Sequence, residues 1–129
     1  MAFNGKILLV DDESHIRKFV GLLLKQLGSP TIIEAANGQE ALALYQQERP
    51  DLVLLDVNMP VLDGIATLRK LRELDPEVVV IMLTSLASRQ MVEGASDLGA
   101  CLYIRKDTPK DEMLKMLRET IDTVFAPED

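Results

Sequence analysis

One cysteine in a chain of 129 residues leaves no partner for an internal disulfide, which fits a reducing cytoplasm. Cys101 opens an apolar run and is expected to be a small buried hydrophobe rather than a reactive thiol. Basic charge is also scarce: the formal net charge is -7, and Lys and Arg are scattered rather than clustered. Phosphate backbones and anionic lipid surfaces both need a basic footprint, so nucleic acid and membrane are excluded as expected partners. No apolar run approaches the ~20 residues of a membrane span. The best run, 78-VVVIML-83, is strand length, and the four apolar residues after Lys6 are too few for a signal-peptide core. No linker rich in Gly, Pro or Ser divides the chain, and no repeat or low-complexity tract is present. The expected organisation is one domain spanning 1–129, with a core from about 6 to 125 and a frayed tail at 126–129.

What the chain does have is a strict alternation of short apolar runs with longer helical patterns. The runs are 6-KILLV-10, 31-TIIE-34, 52-LVLL-55, 78-VVVIML-83 and 101-CLYI-104. Those at 52 and 78 are almost uniformly apolar, as parallel strands covered on both faces should be. Between the runs, apolar residues recur at helical spacing, as in Ile16, Val20, Leu23 and Leu27, or Leu114, Leu117, Ile121 and Val124. A fourth helix is expected around Met91, Ala95 and Leu98, weakened by Gly94 in its interior. Asn37 with Glu40, Asp63, and Thr108 followed by Pro109 read as helix starts; Gly28 reads as a stop. The six methionines read mostly as core fillers. Five strands alternating with five helices predict an α/β, flavodoxin-like, doubly wound parallel sheet in the order 2-1-3-4-5.

In such sheets the functional crevice lies beyond the carboxyl ends of the strands. The first run delivers Asp11 and Asp12 there, the third Asp56, the fourth Thr84, and the fifth Lys106. A buried strand tipped by Asp56 is costly unless its charge is compensated. Three carboxylates at one small site would also raise one another's pKa values unless a cation is present. The formal balance is -3 from the three aspartates and +1 from Lys106, leaving -2, which suits one divalent ion. With only oxygen ligands on offer, Mg2+ is the natural candidate, and it leaves room for a phosphoryl oxygen. No Gly-rich phosphate turn follows the first strand, since 10-VDDESH-15 fits neither dinucleotide nor P-loop patterns. A metal, a carboxylate, a hydroxyl and an ammonium suit transfer of a phosphoryl group onto a carboxylate.

At these residues the chain resembles the receiver domain of two-component response regulators, including the stand-alone chemotaxis type. The resemblance rests on VDD at 10–12, DVNMPVLDG at 56–64, Thr84, and Tyr103 three residues before Lys106, and it extends from about Lys6 to Phe125. It implies that Asp56 is the phosphoacceptor for the phosphohistidine of a sensor histidine kinase. It further implies that Asp12, Asp56 and the backbone carbonyl of Asn58 bind magnesium directly, and that Asp11 acts through water. Thr84 and Lys106 would grip the phosphoryl oxygens, and Thr84 with Tyr103 would form a switch. The switch would reshape the surface made by the fourth helix, fifth strand and fifth helix, where a downstream target protein or a phosphohistidine domain binds. Such a protein is a cytoplasmic signalling module, a monomer or weak dimer, whose only catalysis is its own phosphorylation and dephosphorylation.

One departure stands out. Receiver domains usually follow the lysine with a proline joined by a cis peptide, and here Asp107 takes that place. A cis bond before a non-proline residue costs about 2.5–4 kcal/mol, so a trans loop is expected. Lys106 is then expected to be less firmly held, with Asp107 competing for its ammonium. Other readings stay open. Asp11 or Asp12 could cap a helix, Thr84 could cap the fourth helix, and Tyr103 could be a half-buried strand aromatic. His15 is expected to be an exposed helix residue. A receiver-like scaffold that works without phosphorylation and an aspartyl-nucleophile phosphatase are the alternative functions. The second lacks the general-acid Asp two residues after the nucleophile, where Asn58 stands.

Overall fold

The computed structural model describes residues 3–57, 59, 63–84 and 98–125. Five strands form one parallel sheet in the order β2-β1-β3-β4-β5, as the alternation predicts. They are β1 (Lys6–Val10), β2 (Thr31–Ala35), β3 (Leu52–Asp56), β4 (Val80–Thr84) and β5 (Leu102–Arg105). Four α-helices are described: α1 (Ser14–Leu24), α2 (Gly38–Glu48), α3 (Gly64–Leu74) and the C-terminal helix α4 (Lys110–Val124). The helix expected around 91–98, Gly94 included, lies outside the described residues apart from Leu98. No described helix is long and apolar enough to cross a membrane.

Alternation of side chains along each strand builds two cores. Ile7, Leu9, Leu52, Leu54, Ile81, Leu83 and Ile104 face α1 and α4, where they meet Val20, Leu23, Leu24, Met113, Leu117 and Ile121. Leu8, Val10, Val53, Leu55, Val80 and Met82 face α2 and α3, where they meet Ala41, Tyr45, Leu68 and Leu71. Every residue of β3 and β4 is buried, which explains their uniform apolar composition: helices cover both faces. Of the methionines, Met59, Met82 and Met113 are core residues.

The helix signals are mostly honoured. Asn37 accepts from the Glu40 amide at 2.9 Å, and its own side-chain amide donates to the Glu40 carboxylate at 3.0 Å. Asp63 caps α3 by accepting from the Ala66 amide at 2.8 Å. Helix α1 tightens into a single 3-10 turn over Lys25–Leu27 before Gly28 ends it at φ 154°. A side chain on Gly28 would strike the backbone of Phe3.

Two expectations fail, each for a local reason. Thr108 does not cap the last helix. Pro109 takes the capping position, without a side-chain bond, and the helix begins at Lys110. A cap must reach the amides of the first turn, and Thr108 stands one residue too early, steered towards extended backbone by the proline after it. Asp111 and Glu112 in the first turn complement the helix dipole instead. Cys101 is exposed, not buried. The strand starts at Leu102; Cys101 sits in the bend before this edge strand of the sheet, beside Thr120 and Val124 of α4.

Candidate functional site: an acidic pocket closed by one lysine

The parallel register brings the predicted residues to one edge. Val10 pairs with Leu55, so Asp11 follows level with Asp56. Asp56 pairs with Leu83, one residue before Thr84, and Thr84 pairs with Arg105, one residue before Lys106. Asp11 and Thr84 are fully buried and Asp56 is 1% exposed, whereas Asp12 faces solvent. Carboxylate oxygens of Asp11, Asp12 and Asp56 lie within 4.8 Å of one another.

Lys106 binds this group together. Its ammonium is 2.7 Å from Asp11 Oδ2 and 3.1 Å from Asp56 Oδ2, with the side chain only 9% exposed. Burial works to lower the pKa of Lys106, but its hydrogen bond to Asp11 and the negative charges of Asp56 and Asp11 win, and the net shift is upward. A raised lysine stabilises the fold fully below its ordinary value of 10.5 and ceases to do so only as the pH climbs through the folded value. The pairing therefore holds throughout the neutral range.

This overturns the expectation that the missing proline loosens Lys106. No cis peptide occurs among the described residues, and Lys106 is nevertheless seated on both carboxylates. Its backbone explains why: the Lys106 amide donates to the Thr84 carbonyl at 2.6 Å, continuing the β4–β5 ladder by one rung. The sheet, not the following peptide, sets its position. Nor does Asp107 compete. Its two oxygens accept from Arg105 Nε and Nη2 at 3.0 and 2.9 Å.

The turn after β1 is ordered around Asp11. Asp11 Oδ1 accepts from the Glu13 amide at 2.9 Å, while Glu13 itself occupies the cap position of α1 without a side-chain cap bond. The aspartates are therefore not helix caps. Both oxygens of Asp11 already have donors, which suits an indirect role towards an ion. Glu13 adds a carboxylate 4.0 Å from the Lys106 ammonium and 3.2 Å from His15, and His15 is exposed as expected, its side chain 75% accessible. On the other side of the site, Gly64 at the start of α3 donates to the Val57 carbonyl at 2.8 Å. A β-carbon there would collide with the carbonyl of Asp56. Tyr103 is half-buried against the α2–α3 core, its hydroxyl buried without a hydrogen-bond partner among the described residues. Asn58 lies outside the described residues.

The donor set fits a hard divalent cation: three carboxylates and one ammonium leave a formal charge of -2, all donors are oxygen, and Asp12 opens to solvent. Sequence reasoning brought Asp11, Asp12, Asp56, Thr84 and Lys106 to this edge, and it missed Glu13 and Gly64. Gly64 closes the quoted DVNMPVLDG stretch, so its signal was present. The contact of Glu13 with Lys106 crosses between elements and leaves no mark in local spacing.

A parallel five-stranded sheet with this acidic pocket at its carboxyl edge is the architecture of a signalling receiver domain. The chain belongs to the response regulator receiver domain family, whose pattern matches residues 7–118. It is 32% identical to the chemotaxis protein CheY of Bacillus subtilis over 117 residues, covering 91% of this chain and 98% of that protein. It is 38% identical to the sporulation initiation phosphotransferase F of the same organism over 110 residues, covering 85% and 88%. Its fold matches that of a CheX–CheY–BeF3–Mg2+ complex from Borrelia burgdorferi with a TM-score of 0.84 at 31% identity, covering 95% of this chain and 90% of that one.

Proposed function

We propose that this chain is a phosphoacceptor response regulator in which Asp56 receives a phosphoryl group from the phosphohistidine of a sensor kinase. The observation that carries the proposal is the Lys106 ammonium shared between buried Asp11 and Asp56. A carboxylate buried at a strand tip and paired with an ammonium is positioned to act as a nucleophile. In the reaction, an Asp56 oxygen forms a bond to phosphorus as the bond from phosphorus to the histidine nitrogen breaks. The departing ring nitrogen keeps the electron pair, and the product is an acyl phosphate on Asp56. Lys106 then exchanges its contact with Asp56 for one with a phosphoryl oxygen, and the Thr84 hydroxyl supplies a second donor. Asp12, Asp56 and the Asn58 carbonyl would hold Mg2+ directly, with Asp11 acting through water. The bound ion would supply neutralisation of the charge that develops on the phosphoryl oxygens.

The reading extends to one receiver domain, with a core from about 6 to 125, acting in the cytoplasm as a monomer or weak dimer. Its catalysis is limited to its own phosphorylation and dephosphorylation. Its output, through Thr84 and Tyr103, would pass to a target protein or a phosphohistidine domain at the surface that includes β5 and α4. The CheX–CheY complex supports a protein partner by similarity. The departure at Asp107 leaves Lys106 in place.

Incubation with acetyl phosphate tests the proposal by intact-mass measurement. The wild type should gain the mass of one phosphoryl group only when Mg2+ is present, and Asp56→Asn should gain nothing. Absence of the gain in wild type, or an equal gain in the variant, refutes the assignment.

A further inference from the structure

We infer that Arg17 is a positioning residue of the acidic site: its guanidinium fixes the backbone between Asp11 and Asp12 and so sets the spacing of the carboxylates that face a divalent ion. The inference rests on the phosphoacceptor reading and concerns the metal site within it. Arg17 lies in the first turn of α1 and its side chain is only 18% exposed. Nη1 donates to the Asp11 carbonyl at 2.7 Å, and Nε donates to Glu34 Oε1 on β2 at 2.9 Å.

That carbonyl belongs to the peptide that joins Asp11 to Asp12. On its other side, the Asp11 amide donates to the Ala35 carbonyl at 3.1 Å, so Asp11 is held from β2 in front and from α1 behind. The register of β1 with its neighbours runs to Val10, the Asp11 amide adds that one further bond, and among the described residues no backbone amide is offered to the Asp11 carbonyl. The guanidinium fills that place. Its planar fork satisfies two acceptors in one rigid geometry, which an ammonium on a flexible stem cannot reproduce. With the peptide fixed, Asp11 keeps its bond to the Glu13 amide, and Asp12 leaves the turn in a defined direction. Groups that orient metal ligands from behind commonly change affinity by about 10–100-fold when removed.

A salt bridge that merely stabilised the fold would predict something different, because its loss would lower stability and leave the site alone. The deciding experiment titrates the full chain with Mg2+, followed by amide NMR, in wild type, Arg17→Met, Arg17→Lys and Glu34→Gln. Exchange of the Glu13 amide in the metal-free proteins is measured alongside. Arg17→Met should weaken Mg2+ affinity roughly tenfold and speed exchange at Glu13. Arg17→Lys should recover part of the loss, and Glu34→Gln, which spares the Asp11 contact, should fall nearest to wild type. Wild-type affinity and wild-type Glu13 exchange in both Arg17 variants overturn the inference, whatever their stability; if Arg17→Met does not fold, Arg17→Lys alone decides it by the same criteria. If the wild type itself binds no Mg2+, the phosphoacceptor reading fails, while Glu13 exchange still decides separately whether Arg17 holds the turn.

Discussion

The two edges of the sheet handle polar groups in opposite ways. At the carboxyl edge, three aspartates cluster, two of them share one ammonium, and a formal charge of -2 is left over among the four groups. At the amino edge, charges are spent on backbone and on each other. Arg72 donates to the carbonyls of Leu98, Pro76 and Gly99 at 2.7, 2.6 and 2.5 Å, so one side chain ties α3 to the turn before β4 and the turn before β5. Tyr45 donates from α2 to Asp75 at 2.6 Å, and Asp75 also accepts from the Glu77 amide at 3.0 Å. Asp51 accepts from the Lys6 amide at 2.8 Å, joining the starts of β3 and β1. A region whose polar groups are mutually satisfied adds to stability. A region that concentrates like charge gives up stability unless a cation joins it.

The comparison can be broken most severely at the carboxyl edge. Lys106→Met strips the shared cation from two buried carboxylates, and urea denaturation in EDTA should show a loss of about 3 kcal/mol. Saturating Mg2+ should restore much of it, because the ion would take over the neutralising role. A deficit that ignores Mg2+ would mean that the pocket is not a cation site. At the amino edge Arg72→Met should cost about 2 kcal/mol through the three carbonyls it leaves to water. The same measurement should show that loss to be equal with and without Mg2+, since no ion belongs there. The smallest effect is expected from Tyr45→Phe, about 1 kcal/mol at neutral pH for one hydrogen bond.

That last difference should also depend on pH. The hydrogen bond from Tyr45, and then the Glu77 amide, hold the Asp75 carboxyl below its ordinary value of 3.8. A depressed carboxyl contributes stability that is fully present above 3.8 and is lost as the pH falls through the folded value. The gap between wild type and Tyr45→Phe should therefore be constant from pH 5 to 8 and close below about pH 4. Thermal denaturation across that range checks it, and a gap that widens in acid would contradict the assigned hydrogen bond. The same hydrogen bond, after burial, pushes the Tyr45 phenol well above its usual value, so that group stays neutral throughout.

Most of the fold was legible because burial is periodic. The apolar runs mark all five strands to within two residues, and the run at 78–83 errs only because Val78 and Val79 belong to the approach to β4. Caps such as Asp63 were readable because the interaction spans three residues. Misjudgements concentrate where position depends on a neighbouring element. Cys101 continues an apolar run in sequence yet precedes an edge strand in space, and Val124 keeps the helical rhythm yet is 39% exposed near the end of α4. Lys106 was expected to loosen because only its sequence neighbour was visible, whereas the β4 backbone holds it.

By itself the sequence determined the alternation of strands and helices, the residue types delivered to each strand end, and the surplus of negative charge among them, because all three follow from local pattern and composition. Only the tertiary structure decided that Asp11 and Asp56 share Lys106, that Arg17 braces the turn between two aspartates, and that Arg72 secures the opposite edge. Those contacts join residues as far as 95 positions apart. Their geometry is set by strand register and helix packing, which no local spacing encodes.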